Sequence, residues 1–158
     1  MLSYTPIQFM GALTDFLQSC PLLMDVSDVH GFPFNPATIE GNGLAYTGTP
    51  RPQRRFNAVG EVRIEKQANF IFYIQRTWID EINQKEMADF VAQFEEWVER
   101  EDIFGRTPKF STDIDFNEQM WADNGMLIEI DDKVQPFKAL YMVQIHVNYG
   151  LLFGREVN

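Results

Sequence analysis

Residues 137–150, FKALYMVQIHVNYG, alternate without a break. Phe137, Ala139, Tyr141, Val143, Ile145, Val147 and Tyr149 fall on one side of an extended chain. A period of two is the repeat of a β-strand, and on a helix these residues would scatter around the whole circumference. The run is therefore a long strand with one apolar face. The opposite face carries Lys138, Leu140, Met142, Gln144, His146 and Asn148, a half-polar set that suits a sheet with one side less buried. A shorter run, residues 125–130 (GMLIEI), precedes it. The acidic linker Asp131-Asp132-Lys133-Val134-Gln135-Pro136 makes the two a strand pair.

Earlier in the chain, Val62 and Ile64, then Phe70, Phe72 and Ile74, keep the same period, with Ile71 and Tyr73 on the reverse face. The pattern predicts a long central strand, covered on both sides over its second half. Between them the period changes to that of a helix. In NQKEMADFVAQFEEWVER, from residue 83, Met87, Phe90, Val91, Phe94, Trp97 and Val98 form one apolar stripe. Asn83 is placed to cap its first turn, with Glu86 three residues on as the reciprocal partner. Its outer face is acidic: from Asp80 to Asp102 there are nine acids and two bases.

A first helix is expected from Thr5-Pro6, a capping residue followed by the residue best tolerated at the first helical position. Ile7, Met10, Leu13, Phe16 and Leu17 share its face, and Cys20-Pro21 ends it. Short strands are expected at 23–29 and 37–40, around a turn-rich stretch with Gly31, Pro33, Asn35 and Pro36. Residues 41–60, GNGLAYTGTPRPQRRFNAVG, stand apart, with four glycines, two prolines, three arginines and no acid. This stretch is expected to form an extended β-hairpin arm. The order is helix, short strands, long strand, helix, strand pair. It gives an α+β fold: a mixed or antiparallel sheet with two helices packed on one face and the arm projecting.

The chain has 158 residues, which suits a single domain over 1–158 able to bury roughly 70% of its unfolded surface. An aromatic content of 14% argues for a folded domain and for buried protein–protein contacts. The formal charge of −10 argues against a protein that grips duplex DNA, whose affinity comes mostly from Lys and Arg on phosphate. Cys20 is the single cysteine, so no intramolecular disulfide is expected. With two histidines in the chain, a His/Cys zinc site is not expected either. The N-terminus lacks a basic start and carries Asp15 and Gln18, unlike a signal peptide. No apolar run approaches the ~20 residues that span a bilayer, so no membrane association is expected and synthesis is placed in the cytoplasm.

Catalytic signatures are sparse. There is no phosphate-binding G-x-x-x-x-G-K-[ST], no G-x-G-x-x-G, no H-E-x-x-H and no G-x-S-x-G. Gly41-Asn42-Gly43 reads as a turn, His146 as a hydrogen-bonded strand histidine and Cys20 as a small core residue. His30 lies in a turn region with no role suggested nearby. One enzymatic alternative remains, a Mg²⁺-dependent nuclease. Glu129, Asp131 and Lys133 resemble the end of a two-carboxylate-plus-lysine site, with Asp113 and Asp115 as further metal ligands. A small adaptor domain binding one host factor is the other alternative. Neither displaces the expectation of a non-enzymatic protein with no catalytic residue, cofactor or metal.

The arginines of the arm and the acids of the second helix are opposite charges on one chain. Arg51, Arg54, Arg55 and Phe56 are expected to meet Glu95, Glu96 and Glu99 of a neighbouring copy. That contact is heterologous, and it closes into a ring where the rotation permits.

Several segments resemble the tail-terminator or minor capsid (head–tail joining) proteins of tailed bacteriophages. They are the run from Tyr46 to Gly60 followed by NFIFYIQRTW, the early Ser19-Cys20-Pro21-Leu22-Leu23, the acidic helix with Phe94 and Trp97, and the final QMWADNGMLIEIDDKVQPFKALYMVQIHVNY. The resemblance covers nearly the whole chain in element order and length, and it departs in the Pro-rich stretch at 29–36. It implies a homo-oligomeric, hexameric ring in the virion, at the head-proximal end of the tail. There the ring lies between the tail tube protein and the head connector protein. It also implies that DNA passes through the lumen without specific binding, and that there is no cofactor.

Overall fold

The computed structural model describes residues 6–23, 28–32, 41–78, 83–133 and 137–154, with the side chains of 77, 78 and 83–88 left aside. Helix α1 (Phe9–Gln18) is followed by a 3-10 turn (Pro21–Leu23). Strands β1 (Val29–His30), β2 (Asn42–Gly48), β3 (Gln53–Phe56) and β4 (Val62–Trp78) come next. Helix α2 (Asn83–Ile103), β5 (Gln119–Asp131) and β6 (Phe137–Phe153) complete the chain. Among the described residues the six strands form one sheet in the order β1-β2-β4-β6-β5, with β3 also on β4. Among the described pairs β1–β2 alone is parallel, so the sheet is mixed and the fold α+β.

The spine is the β4–β6 pair. Both strands have 17 residues and stay in register from Val62↔Phe153 to Trp78↔Phe137. Residues directly opposite in an antiparallel pair point to the same side. The register therefore sets Ala68 beside Val147, Phe70 beside Ile145, Phe72 beside Val143 and Ile74 beside Tyr141, all of them buried. Leu44 of β2 and Met120 of β5 continue these rows and are buried too. The helix rings reach the same rows. Phe94 lies 5.4 Å from Phe72 and Phe90 5.8 Å from Tyr141, while Phe9 lies 5.6 Å from Phe70 and 5.4 Å from Tyr149. Phe16 stacks on Trp97 at 4.8 Å and ties α1 to α2. Tilted and edge-to-face ring pairs contribute about 0.5–1.5 kcal/mol each beyond the area they bury.

In α2 the expected stripe is buried at Phe90, Val91, Phe94 and Val98 and half-buried at Trp97. The side chain of Met87 and the Asn83–Glu86 cap lie outside the described residues. α1 starts later than its sequence signal. It begins at Phe9, after Gln8, which makes no side-chain cap, and Thr5 lies outside the described residues. Leu13, Phe16 and Leu17 are buried, and the helix closes through Ser19 N–H to Phe16 O and Cys20 N–H to Leu17 O, just before Pro21. Of the strand expected at 23–29, Leu23 belongs to the 3-10 turn and only Val29 is extended. Residues 24–27 and the expected strand at 37–40 lie outside the described residues.

The stretch 41–60 is not one arm. Its first half, β2, is part of the body: it pairs with β4 at residues 69–73 and buries Asn42, Gly43 and Leu44. Its second half, β3, pairs with β4 at residues 62–65 and is exposed throughout. β2 and β3 thus run in line along one edge of β4, broken at Thr49-Pro50-Arg51-Pro52. Proline has no N–H to give a ladder, so the pairing lapses there and resumes beyond it. β3 returns into β4 through a turn held by Asn57, whose Oδ1 accepts the Val59 and Glu61 N–H groups. Gly60 sits at φ 83°, where a side chain would be strained.

The expected cover on both sides of β4 is only partial. On the reverse face Ile71 and Tyr73 are half-buried, Tyr73 under a stacked Phe32 ring at 5.7 Å. β5 begins six residues earlier than the sequence pattern suggests. It carries register shifts at Asp123/Met126 and Leu127/Glu129 that interrupt its alternation.

Candidate functional site

The arginine group sits on the β3 edge. Arg51, Arg54 and Arg55 are exposed and make no ion pair or side-chain hydrogen bond among the described residues. Phe56 is 75% exposed and Val59, at the turn, 70%. Arg55 stands directly across from Arg63 of β4. That like-charge pair is relieved because Arg63 turns to the loop before β5, donating to both oxygens of Asp113 at 2.7 and 2.8 Å. Asp115 takes a longer contact of 3.4 Å. The Asp113 carboxylate raises the Arg63 guanidinium above its usual range by hydrogen bonding and charge. An open cleft of about 190 Å³ lies between β3 and this loop, lined among others by Arg55, Arg63, Glu65 and Asp113.

Asp113 is buried and engaged, and its loop is pinned at the far end of β6 by Thr112 and Asp113 N–H groups on Gly150 O. Asp131 lies at the other end of β6, opposite Lys138. Twelve residues of strand separate the two places, roughly 40 Å at about 3.3 Å per residue. The five residues of the nuclease reading therefore fall into two groups, Asp113 and Asp115 at one end of β6 and Glu129, Asp131 and Lys133 at the other, and are not brought together. Asp131 Oδ1 instead accepts the Lys133 N–H at 3.0 Å, a local turn contact.

The acidic residues divide into two sets. Glu96 and Glu99 are exposed on α2. Glu95 is not free: its Oε1 accepts the Gly125 N–H of β5 at 2.8 Å. Asp102 does the same for Met120 N–H at 3.0 Å. The two carboxylates thus satisfy outward N–H groups of β5 and seal the first half of this edge strand. Gly125 makes this possible, since a Cβ there would lie 1.8 Å from Val91 Cγ1 and 2.7 Å from Glu95 Oε1. Asn124 beside it adopts φ 53°, a conformation Asn tolerates better than most residues. Beyond Gly125 no further side chain takes the edge among the described residues, and Met126, Leu127, Ile128 and Glu129 are all exposed. Sequence reasoning missed this surface. Its one signal was Asp123-Asn124-Gly125, a turn-prone triplet inside a strand, which marks a bulge.

On the sheet face opposite the Val143, Ile145 and Val147 row His146 is a stitch. Nδ1 is 2.5 Å from Asn69 Oδ1 of β4, and Nε2 is 2.8 Å from Asp123 Oδ1 of β5. Trp121 stacks on the ring at 5.2 Å. Cys20 is buried, and desolvation pushes its thiol up to about 11, so it is no ready nucleophile. No protein-family model matches the chain, and no curated protein matches its sequence.

Proposed function

We propose that this chain is a structural subunit that assembles head-to-tail with copies of itself, in the manner of a phage tail-terminator ring. The observation that carries the reading is the β3–β4 hairpin and its approach, which hold three exposed arginines without charge partners among the described residues beside an exposed Phe56 and Val59. Apolar rings and unpaired charge together at a tip suit a contact with a second surface. Glu96 and Glu99 of α2 offer the opposite sign on the same chain, and a basic patch meeting an acidic one fixes register between subunits. In this reading the hairpin is the projecting arm, and both helices cover one face of the sheet. The ring is hexameric, seated in the virion between the tail tube and the head connector, and its acidic character lets DNA slide through the lumen.

The test is a charge reversal of Arg54 and Arg55 to Glu, with mass measured by light scattering. The expected outcome is loss of the oligomer with the fold retained by circular dichroism. An oligomer unchanged by both reversals would remove the hairpin from the interface. The nuclease alternative is checked by plasmid nicking with Mg²⁺ or Mn²⁺, where no cleavage is expected.

A further inference from the structure

The contact can be specified more closely, on the reading that the chain self-assembles. We infer that β3 of one copy docks antiparallel along the open half of β5, residues 126–131, of the next, so that the sheet continues from copy to copy. Both are edge strands with a row of backbone groups left over. Among the described residues β3 pairs only with β4, and β5 beyond Gly125 pairs only with β6. Such a row is a template for another strand. On β5 it is confined to this segment, because Glu95 and Asp102 already occupy the Gly125 and Met120 N–H groups.

The pairings fix which side chains would meet. Arg55 is opposite Arg63, which is opposite Leu152, so Arg55 lies on the face away from the helices. Glu129 and Asp131, opposite Leu140 and Lys138, lie on that face too. Phe56 is opposite Val62 and lies on the helix side, as do Leu127 and Ile130, opposite Tyr141 and Ala139. Joined in this way, the sheet sets Arg55 beside carboxylates on one face and Phe56 beside aliphatic side chains on the other. Cross-strand opposite-charge and aromatic–aliphatic pairs both favour such a ladder.

Direction agrees as well. β3 runs with β6 and β5 runs against it, so antiparallel docking leaves neighbouring copies in the same orientation, as a head-to-tail contact requires. The two edges lie at diagonally opposite corners of the sheet. Successive copies therefore step along the strand direction, and the strands incline to the assembly axis as those of a closed sheet must.

The experiment compares wild type with Arg55→Glu, with the double change Glu129→Arg and Asp131→Arg, and with all three combined. Mass is read by light scattering and folding by thermal melts. The single-edge variants should fall to the mass of one chain, and the combined variant should recover the oligomer. A parallel variant carrying Arg55→Cys and Glu129→Cys should form disulfides between chains under oxidation, since the two positions lie on opposite edges within one copy. A wild-type oligomer whose mass ignores every change, with no cross-link, overturns edge docking and leaves self-assembly standing. A wild type that is monomeric at high concentration overturns self-assembly and edge docking together.

Discussion

Gly125 and Cys20 are two residues with very different constraints. At Gly125 the cost of a side chain is steric, because its Cβ position is already filled by Val91. Gly125→Ala should destabilise the fold by about 1–3 kcal/mol, the usual range for overpacking. That is a drop of several degrees in Tm at about 2–4 °C per kcal/mol. Combining it with Val91→Ala should return part of the loss in the same melts, since the clash partner is removed. Cys20 carries a pH dependence. Its thiol is held near 11 in the fold against an ordinary 9.0, so the unfolded chain loses its proton first as pH rises. The folded state then binds more protons, and stability falls between about pH 9 and 11. Denaturant titrations across that window should show a decline on the order of 2 kcal/mol larger in wild type than in Cys20→Ala. The importance of Gly125 could not be read from the sequence. A glycine in a strand announces a bulge or a close approach, but not which helix approaches.

At the scale of elements, long periodic runs declared themselves and interrupted ones did not. β6 and α2 lie where their periods of two and 3.6 place them, because each repeat runs long enough to leave one reading. The first half of β5 was hidden, since Asp123-Asn124-Gly125 breaks its alternation. The stretch 41–60 was misjudged for a related reason. Glycine and proline signal departure from regular structure, yet β4 is 17 residues long and its edge captures whatever chain lies beside it. The prolines break that capture in two rather than preventing it. The resulting hairpin depends on Asn57, which serves two N–H groups and donates to Glu61 Oε1 at 2.9 Å. Asn57→Ala should fray the tip, with faster hydrogen exchange at Val59 and Glu61 and a global cost of about 1 kcal/mol or less. If exchange at those amides is unchanged, the side chain is not what holds the turn.

The whole molecule is acidic, and its charge is unevenly spread. Three arginines without ion pairs among the described residues share the β3 segment and its approach, while the negative charge lies elsewhere. An assembly held by such a contact is sensitive to screening, whose range shrinks from about 30 Å at 0.01 M salt to 3 Å at 1 M. Association measured by sedimentation should therefore weaken severalfold between roughly 0.05 and 0.5 M salt. Indifference to salt would point to the apolar part of the contact, Phe56 with Leu127 and Ile130, as the dominant one. The arginines and acids were visible in the sequence as opposite charges. The edge positions of β3 and β5 were not, because which strand ends a sheet is decided by pairings remote in the chain.

The β4–β6 spine also dictates when this molecule can become itself. Its partners are separated by between 59 residues, from 78 to 137, and 91, from 62 to 153. Contacts of such long sequence separation form slowly, because much chain entropy is surrendered before any ladder is gained. On a ribosome β4 can meet β2, β3 and α1, all made before it, but the β6 side of Phe70 and Phe72 stays uncovered until almost all of the described chain has been made. The central strand of the finished sheet is thus flanked on one edge alone for much of its synthesis.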